Sequence, residues 1–89
     1  MTVIYKSNGD IIETSPKNGK DFSLKELQEI VGGYIEIIDL KDGYMVINEE
    51  GKFLDLPLNA DATTLYMCVT NINDYIVGDV LICPKNQIL

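Results

Sequence analysis

The side chains able to do chemistry in this chain are few in kind. It has no histidine, so proton transfer would fall to carboxylates or lysines and the commonest metal ligand is missing. Fourteen acidic residues against seven basic ones give a net charge of −7, and the acids are spread along the chain with no block or tail. No serine or threonine sits in a nucleophile elbow, and no HExxH, P-loop or GxGxxG pattern occurs. Paired carboxylates can hydrolyse glycosides, but 89 residues leave little room for a sugar-binding cleft. Cys68 and Cys83 lack C-x-x-C spacing and stand in the apolar contexts Met-Cys-Val and Ile-Cys-Pro. They read as buried, reduced thiols, and not as a disulfide or a metal pair. No catalytic residue, metal site or cofactor is expected, so the sequence reads as that of a protein that is not an enzyme.

Residues suited to binding are easier to find. Asn48 and Asn59 can both donate to and accept from a ligand, although the first also fits the end of a strand and the second a helix N-cap. Gly33, beside Gly32, would let a ligand approach the backbone, or would simply end a helix. Gly78 and Asp79 fit an anion-binding nest or a bulge carrying an exposed carboxylate. Tyr34 is one of five tyrosines able to stack on a ligand or fill a sheet face. The candidate ligand-binding residues are therefore Gly33, Tyr34, Asn48, Asn59, Gly78 and Asp79. The negative charge argues against direct nucleic-acid binding, which needs clustered Lys and Arg. No apolar run approaches membrane-spanning length, and the N-terminal residues do not form a signal peptide. A cytoplasmic protein is expected.

The elements that must position these residues centre on residues 22–59. Ser23 and Glu26 form a capping box, with Phe22 and Leu27 placed as a hydrophobic staple. Leu24, Leu27, Ile30 and Val31 make one apolar helical stripe, and Gly32-Gly33 ends it. Residues 34–40 and 44–48 read as strands joined at Asp42-Gly43, the composition of a type I′ hairpin turn. A second turn at Glu50-Gly51 leads to residues 52–56, whose alternation predicts a third strand of a meander, closed by Pro57. Asn59 predicts a short helix over 60–67, and residues 75–83 a turn or bulge feeding a last strand. Ahead of this core, residues 2–5 and 11–14 predict a hairpin, and residues 15–20 a solvated loop. The fold class is α+β: a small antiparallel sheet with a central three-stranded meander, one capped helix packed on it and a second short helix. It is expected to form a single domain over 1–89, with a hairpin and loop at 1–21, a core at 22–83 and a loose tail at 84–89.

The ordered set LQEIVGGYIEII, NEEGK, LPLNADATTLY and YIVGDVL resembles a family of small proteins of unknown function encoded by bacterial phages, plasmids and conjugative elements. The resemblance spans the 22–83 core and leaves the first strand pair and the Pro16 loop outside. It brings no enzymatic activity, and implies an accessory protein of a mobile element that acts on host machinery or host defences by binding. The expected partner is a host protein, or a second copy of the chain in a homodimer, since a core this small is often supplemented by association. Two alternatives stay open: a small-molecule binder that sequesters a nucleotide signal at a subunit interface, and an acidic nucleic-acid mimic. The second would gather Glu36, Asp39, Glu49, Glu50 and Asp55 on one face.

Overall fold

Local chemistry fixes the first helix. In the computed structural model, which describes residues 1–88, helix α1 (Leu24–Val31) is capped reciprocally. The Glu26 N–H donates to Ser23 Oγ at 3.1 Å and the Ser23 N–H donates to the Glu26 carboxylate at 2.9 Å. Phe22 and Leu27 are both buried in one cluster, as a hydrophobic staple requires. Gly32 ends the helix in the left-handed region (φ 81°), its N–H donating to Gln28 O at 2.8 Å.

Strands β1 (Val3–Tyr5), β2 (Ile11–Glu13), β3 (Ile35–Asp39), β4 (Tyr44–Asn48) and β5 (Val80–Cys83) form one antiparallel sheet in the order β2-β1-β5-β4-β3. Within the sheet, the N-terminal hairpin and the β3–β4 hairpin are joined through β5. On one face α1 places Phe22, Leu27 and Val31 over Val46, Leu81 and Cys83. On the other, helix α2 (Ala60–Thr70) packs Ala62, Leu65 and Val69 against Met45, Val80 and Ile82. The sheet is thus the middle layer of three, and Met45, Val46, Val80 and Leu81 are wholly buried. Removing each of these side chains from water is worth about 1.5–3 kcal/mol. The architecture is the expected α+β class, a five-stranded antiparallel sheet with two helices.

The meander is not as the sequence predicts. Residues 52–56 form no strand; they coil in turns, with Leu54 N–H donating to Glu50 O and Leu56 N–H to Gly51 O. The neighbour of β4 on its inner side is β5, a strand far away in sequence. The Asp42-Gly43 turn also differs, because the positive φ falls on Lys41 (73°) and not on Gly43. Gly43 is required for another reason: a Cβ there would lie 2.7 Å from the Cys83 carbonyl oxygen. Helix α2 runs a turn further than predicted, to Thr70, and closes at Asn71 (φ 59°). Cys83 is buried as expected, whereas Cys68, on α2, is exposed.

The C-terminal residues are also engaged, contrary to the expected loose tail. A 3₁₀ turn at Lys85–Gln87 follows Pro84, the Phe22 N–H donates to Gln87 O at 2.9 Å, and Ile88 packs against the α1-side core. Thr2 Oγ1 bonds Gln87 Oε1 at 2.6 Å. Leu89, also assigned to the tail, lies outside the described residues.

Candidate binding site

The six candidate residues do not converge. Asn59 is completely buried and its amide is fully used: Nδ2 donates to Tyr5 O and Gly78 O, both at 2.8 Å, and Oδ1 accepts from the Ala62 N–H at 3.1 Å. It therefore caps α2 and ties β1 to the residue before Asp79. Asn48 is buried too, donating to Val31 O at 3.2 Å and accepting from the Glu50 N–H at 2.8 Å, which links the end of α1 to the loop after β4. Gly33 packs against Asn48, so a Cβ there would lie 3.0 Å from Nδ2. Gly78 is left-handed (φ 76°) and packed closely, since a Cβ on it would lie 2.9 Å from Leu56 Cδ1. Asp79 accepts from the Ser7 N–H at 2.9 Å and pairs with Lys6 at 3.6 Å, bracing the β1–β2 turn. Of the six, Tyr34 alone offers a largely free side chain, 65% exposed.

Around Tyr34 lies an open groove of about 420 Å³ at the C-terminal end of α1, lined by Lys25, Glu29, Gly33, Tyr34, Glu50 and Leu54 among others. Its outer wall comes from the loop after β4. That loop is pinned from both sides: Gly51 N–H donates to Asn48 O, Leu56 N–H to Gly51 O, and a Cβ on Gly51 would lie 2.9 Å from Val77 Cγ2. Asp55 takes a left-handed conformation (φ 58°) to close the coil. While Leu56 turns inward against Gly78, Leu54 is 51% exposed and Phe53 is 86% exposed. Phe53 and Leu54 were not among the sequence-derived candidates, because a strand over 52–56 assigns them to alternate faces of a sheet. The signal available was Pro57 closing so short a segment just after Gly51, which fits a tight loop equally well.

The α1 terminus gives this groove its electrostatic sign. Helix C-termini carry partial negative charge, and the last turn of α1 contains no basic residue to offset it. Glu29 and Glu50 add to it and Lys25 opposes it.

A second, polar hollow of about 190 Å³ lies on the α2 face of the sheet, between Glu36, Glu49, Lys52, Tyr66, Asp74 and Tyr75. Its volume is below the roughly 300 Å³ at which small-molecule pockets usually begin. Lys52 bridges its mouth, 2.6 Å from Asp74 Oδ1 and 4.2 Å from the Tyr75 ring centroid. That hydrogen bond raises the Lys52 pKa and lowers that of Asp74, which also accepts from the Tyr75 N–H. Elsewhere the Ser23 and Lys17 N–H groups lower Glu26, and the Lys41 N–H followed by Lys85 lowers Asp39. Burial pushes the Cys83 thiol up to about 11. The five carboxylates singled out for nucleic-acid mimicry separate: Glu36 and Glu49 sit at the Lys52 hollow, Glu50 at the α1 groove, Asp39 against Lys85, and Asp55 at the left-handed close of the coil after β4. Among the described residues no group of three or more Cys, Asp or Glu is placed to hold a metal ion, and no helix is long and apolar enough to cross a membrane.

A family model described as "Domain of unknown function (DUF3846)" matches residues 1–87. The match takes in the N-terminal strand pair and the Pro16 loop, which the sequence resemblance had left outside. No curated protein and no solved structure matches the chain.

Proposed function

The chain belongs to the DUF3846 family, a domain of unknown function, and from that premise we propose that it is a non-catalytic binding protein that docks a host protein through the Tyr34–Phe53–Leu54 surface. The observation that carries this reading is Phe53, 86% exposed on a loop held by its own backbone hydrogen bonds. A large aromatic side chain exposed on a pinned loop loses little conformational freedom when it is buried by a partner, and aromatic anchors of this kind dominate interface energies. Leu54, next to Phe53 in the chain, lines the groove with Tyr34 and adds exposed apolar area there. The partner's chemistry follows from charge. A net charge of −7, with the α1 C-terminus, Glu29 and Glu50 at the groove, favours a protein presenting a basic rim around an apolar centre.

The side chains whose pKa values shift are moved away from neutrality by local partners or by burial. Glu26, Asp39 and Asp74 are held more firmly ionised, Lys52 more firmly protonated and Cys83 more firmly as the thiol. Each shift makes the group a poorer base or nucleophile near neutral pH. Neither hollow suits a nucleotide, since the Lys52 hollow is small and the larger α1 groove is open and negative in sign, which repels phosphate; the dispersed carboxylates weigh against a nucleic-acid mimic. An accessory role in a phage, plasmid or conjugative element is what the sequence resemblance implies for such a binding protein.

The test is a comparative pull-down from host lysate with the wild-type chain and with Phe53→Asp, read by quantitative mass spectrometry. Because Phe53 is almost fully exposed, the variant should keep wild-type stability within about 0.5 kcal/mol. A specific host protein whose capture falls at least tenfold in the variant supports the reading. Identical capture profiles for the two proteins refute it.

A further inference from the structure

We propose that the β3 edge of the sheet is a homodimerisation seam, in which β3 of one copy pairs antiparallel with β3 of a second copy about a two-fold axis at Ile37. This inference concerns a different surface from the Phe53 loop and does not depend on it.

The backbone pattern carries the argument. The Glu49 N–H donates to Tyr34 O and the Leu40 N–H to Gly43 O. With the register Glu36↔Ile47 and Ile38↔Met45 between them, the even-numbered residues of β3 point their backbone groups at β4. Ile35, Ile37 and Asp39 therefore point theirs away from the sheet. Among the described residues no hydrogen bond reaches the N–H or C=O of these three. The other edge, β2, has only three residues, one of the usual ways in which an edge is kept from pairing. By contrast β3 has five residues in unbroken register, with no proline, lysine or bulge.

A second copy fits this edge reciprocally. Pairing centred on Ile37 sets Ile37 opposite Ile37 of the second copy, Ile35 opposite Asp39, and Glu36 opposite Ile38. Each outward residue then exchanges both of its backbone hydrogen bonds with an outward residue of the other chain, and no outward group is left over. Every carboxylate of the strand lies opposite an isoleucine, so the like-charge pairs that destabilise cross-strand contacts are avoided. Asp39 is already paired with Lys85 at 3.1 Å within its own chain. Ile37 lies on the α1 face, beside Val46, yet is 42% exposed. The second Ile37 would cover it. The pairing makes one ten-stranded sheet from two five-stranded ones, through a contact small enough for a weak, reversible dimer.

The test uses the full chain in a Cys68→Ser background, because Cys68 is exposed and would cross-link on its own account. Sedimentation equilibrium should show a monomer–dimer equilibrium that tightens as salt is added, since each copy carries −7. Ile37→Lys should weaken association at least tenfold with an unchanged far-UV circular dichroism spectrum. Residues facing each other in a hydrogen-bonded antiparallel pair have Cα atoms about 5.5 Å apart, within disulfide range. Ile37→Cys should therefore oxidise to a covalent dimer at least tenfold faster than Glu36→Cys. A chain that stays monomeric at millimolar concentration, a dimer that survives Ile37→Lys, or equal cross-linking at positions 36 and 37 would each overturn the proposal.

Discussion

Asn59 offers the sharpest check on how the two halves of the molecule are joined. Its side chain fills three roles at once, as cap of α2 and as donor to both Tyr5 O and Gly78 O, at 0% exposure. Asn59→Ala loses the cap, worth about 1 kcal/mol, leaves the buried Gly78 carbonyl without its donor at about 1–3 kcal/mol, and takes from Tyr5 O, which keeps its ladder bond to β5, a second hydrogen bond worth about 1 kcal/mol. Allowing for relaxation, the loss should be about 3–5 kcal/mol. The whole stability of an 89-residue chain is about 4–13 kcal/mol, so the variant should be marginal or unfolded at room temperature. Asn59→Asp separates the roles. Aspartate is as good an N-cap as asparagine and suits the helix dipole, so capping alone predicts no loss. In this structure it would aim a buried carboxylate at two carbonyl oxygens, and it should destabilise at least as much as alanine. Urea denaturation followed by circular dichroism measures both, with Ser23→Ala on the exposed cap of α1 as the reference at about 1 kcal/mol. A near-neutral Asn59→Asp would refute the view that this amide ties β1 to the residues leading into β5.

Three further outcomes are expected. Gly43→Ala should cost about 1–3 kcal/mol in the same assay, because its Cβ meets the Cys83 carbonyl oxygen at 2.7 Å and backbone has to move. Titration with an aromatic disulfide reagent at neutral pH should find one fast thiol, Cys68, and release Cys83 only on unfolding, since Cys83 is buried with its pKa at about 11. Glu26, Asp39 and Asp74 have folded pKa values below their ordinary values of 4.5, 3.8 and 3.8. Their contribution to stability is therefore present above those values and lost as pH falls through the depressed ones. Urea midpoints should drop on acidification below about pH 5, and Glu26→Gln should flatten part of that dependence.

What the sequence made legible was whatever neighbouring residues decide between themselves. The Ser23–Glu26 box, the Phe22–Leu27 staple, the Gly32 stop and the Asn59 cap each involve residues within a turn or two of one another, and all four occur as read. The N-terminal hairpin and the β3–β4 hairpin were legible for the same reason. The position of β5 was not, because Val80–Cys83 pairs with Val3–Tyr5 and with Tyr44–Val46, and no local pattern records such distant partners. Residues 52–56 misled because Phe-Leu-Asp-Leu alternates like a strand, while the Gly51–Val77 contact that folds them into a coil is tertiary. Gly43 was read as a turn glycine, although its need is close approach to β5. Cys68 lies in an apolar stretch but is exposed, flanking the stripe of Ala62, Leu65 and Val69 that meets the sheet, a matter of helical phase that its immediate neighbours do not reveal. At the candidate groove the sequence points to Gly33 and Tyr34 and misses Leu54 and the neighbouring Phe53. Asn48 and Asn59 looked like ligand groups because a buried amide that serves the backbone uses the same chemistry as one that serves a ligand.

The strand order has a consequence for how the chain reaches this state. The central strand is the last one made, so during synthesis the two earlier hairpins have no common neighbour until residues 80–83 are free to enter between them. Each hairpin must wait with one inner edge open, and the step that closes the sheet joins residues nearly the full chain length apart. Such a topology folds slowly for its size and is exposed to mispairing in the interval. It also gives the molecule an all-or-none character: a chain ending at Asp79 would keep both hairpins and both helix caps in its sequence, yet lack the strand that joins the hairpins into one sheet.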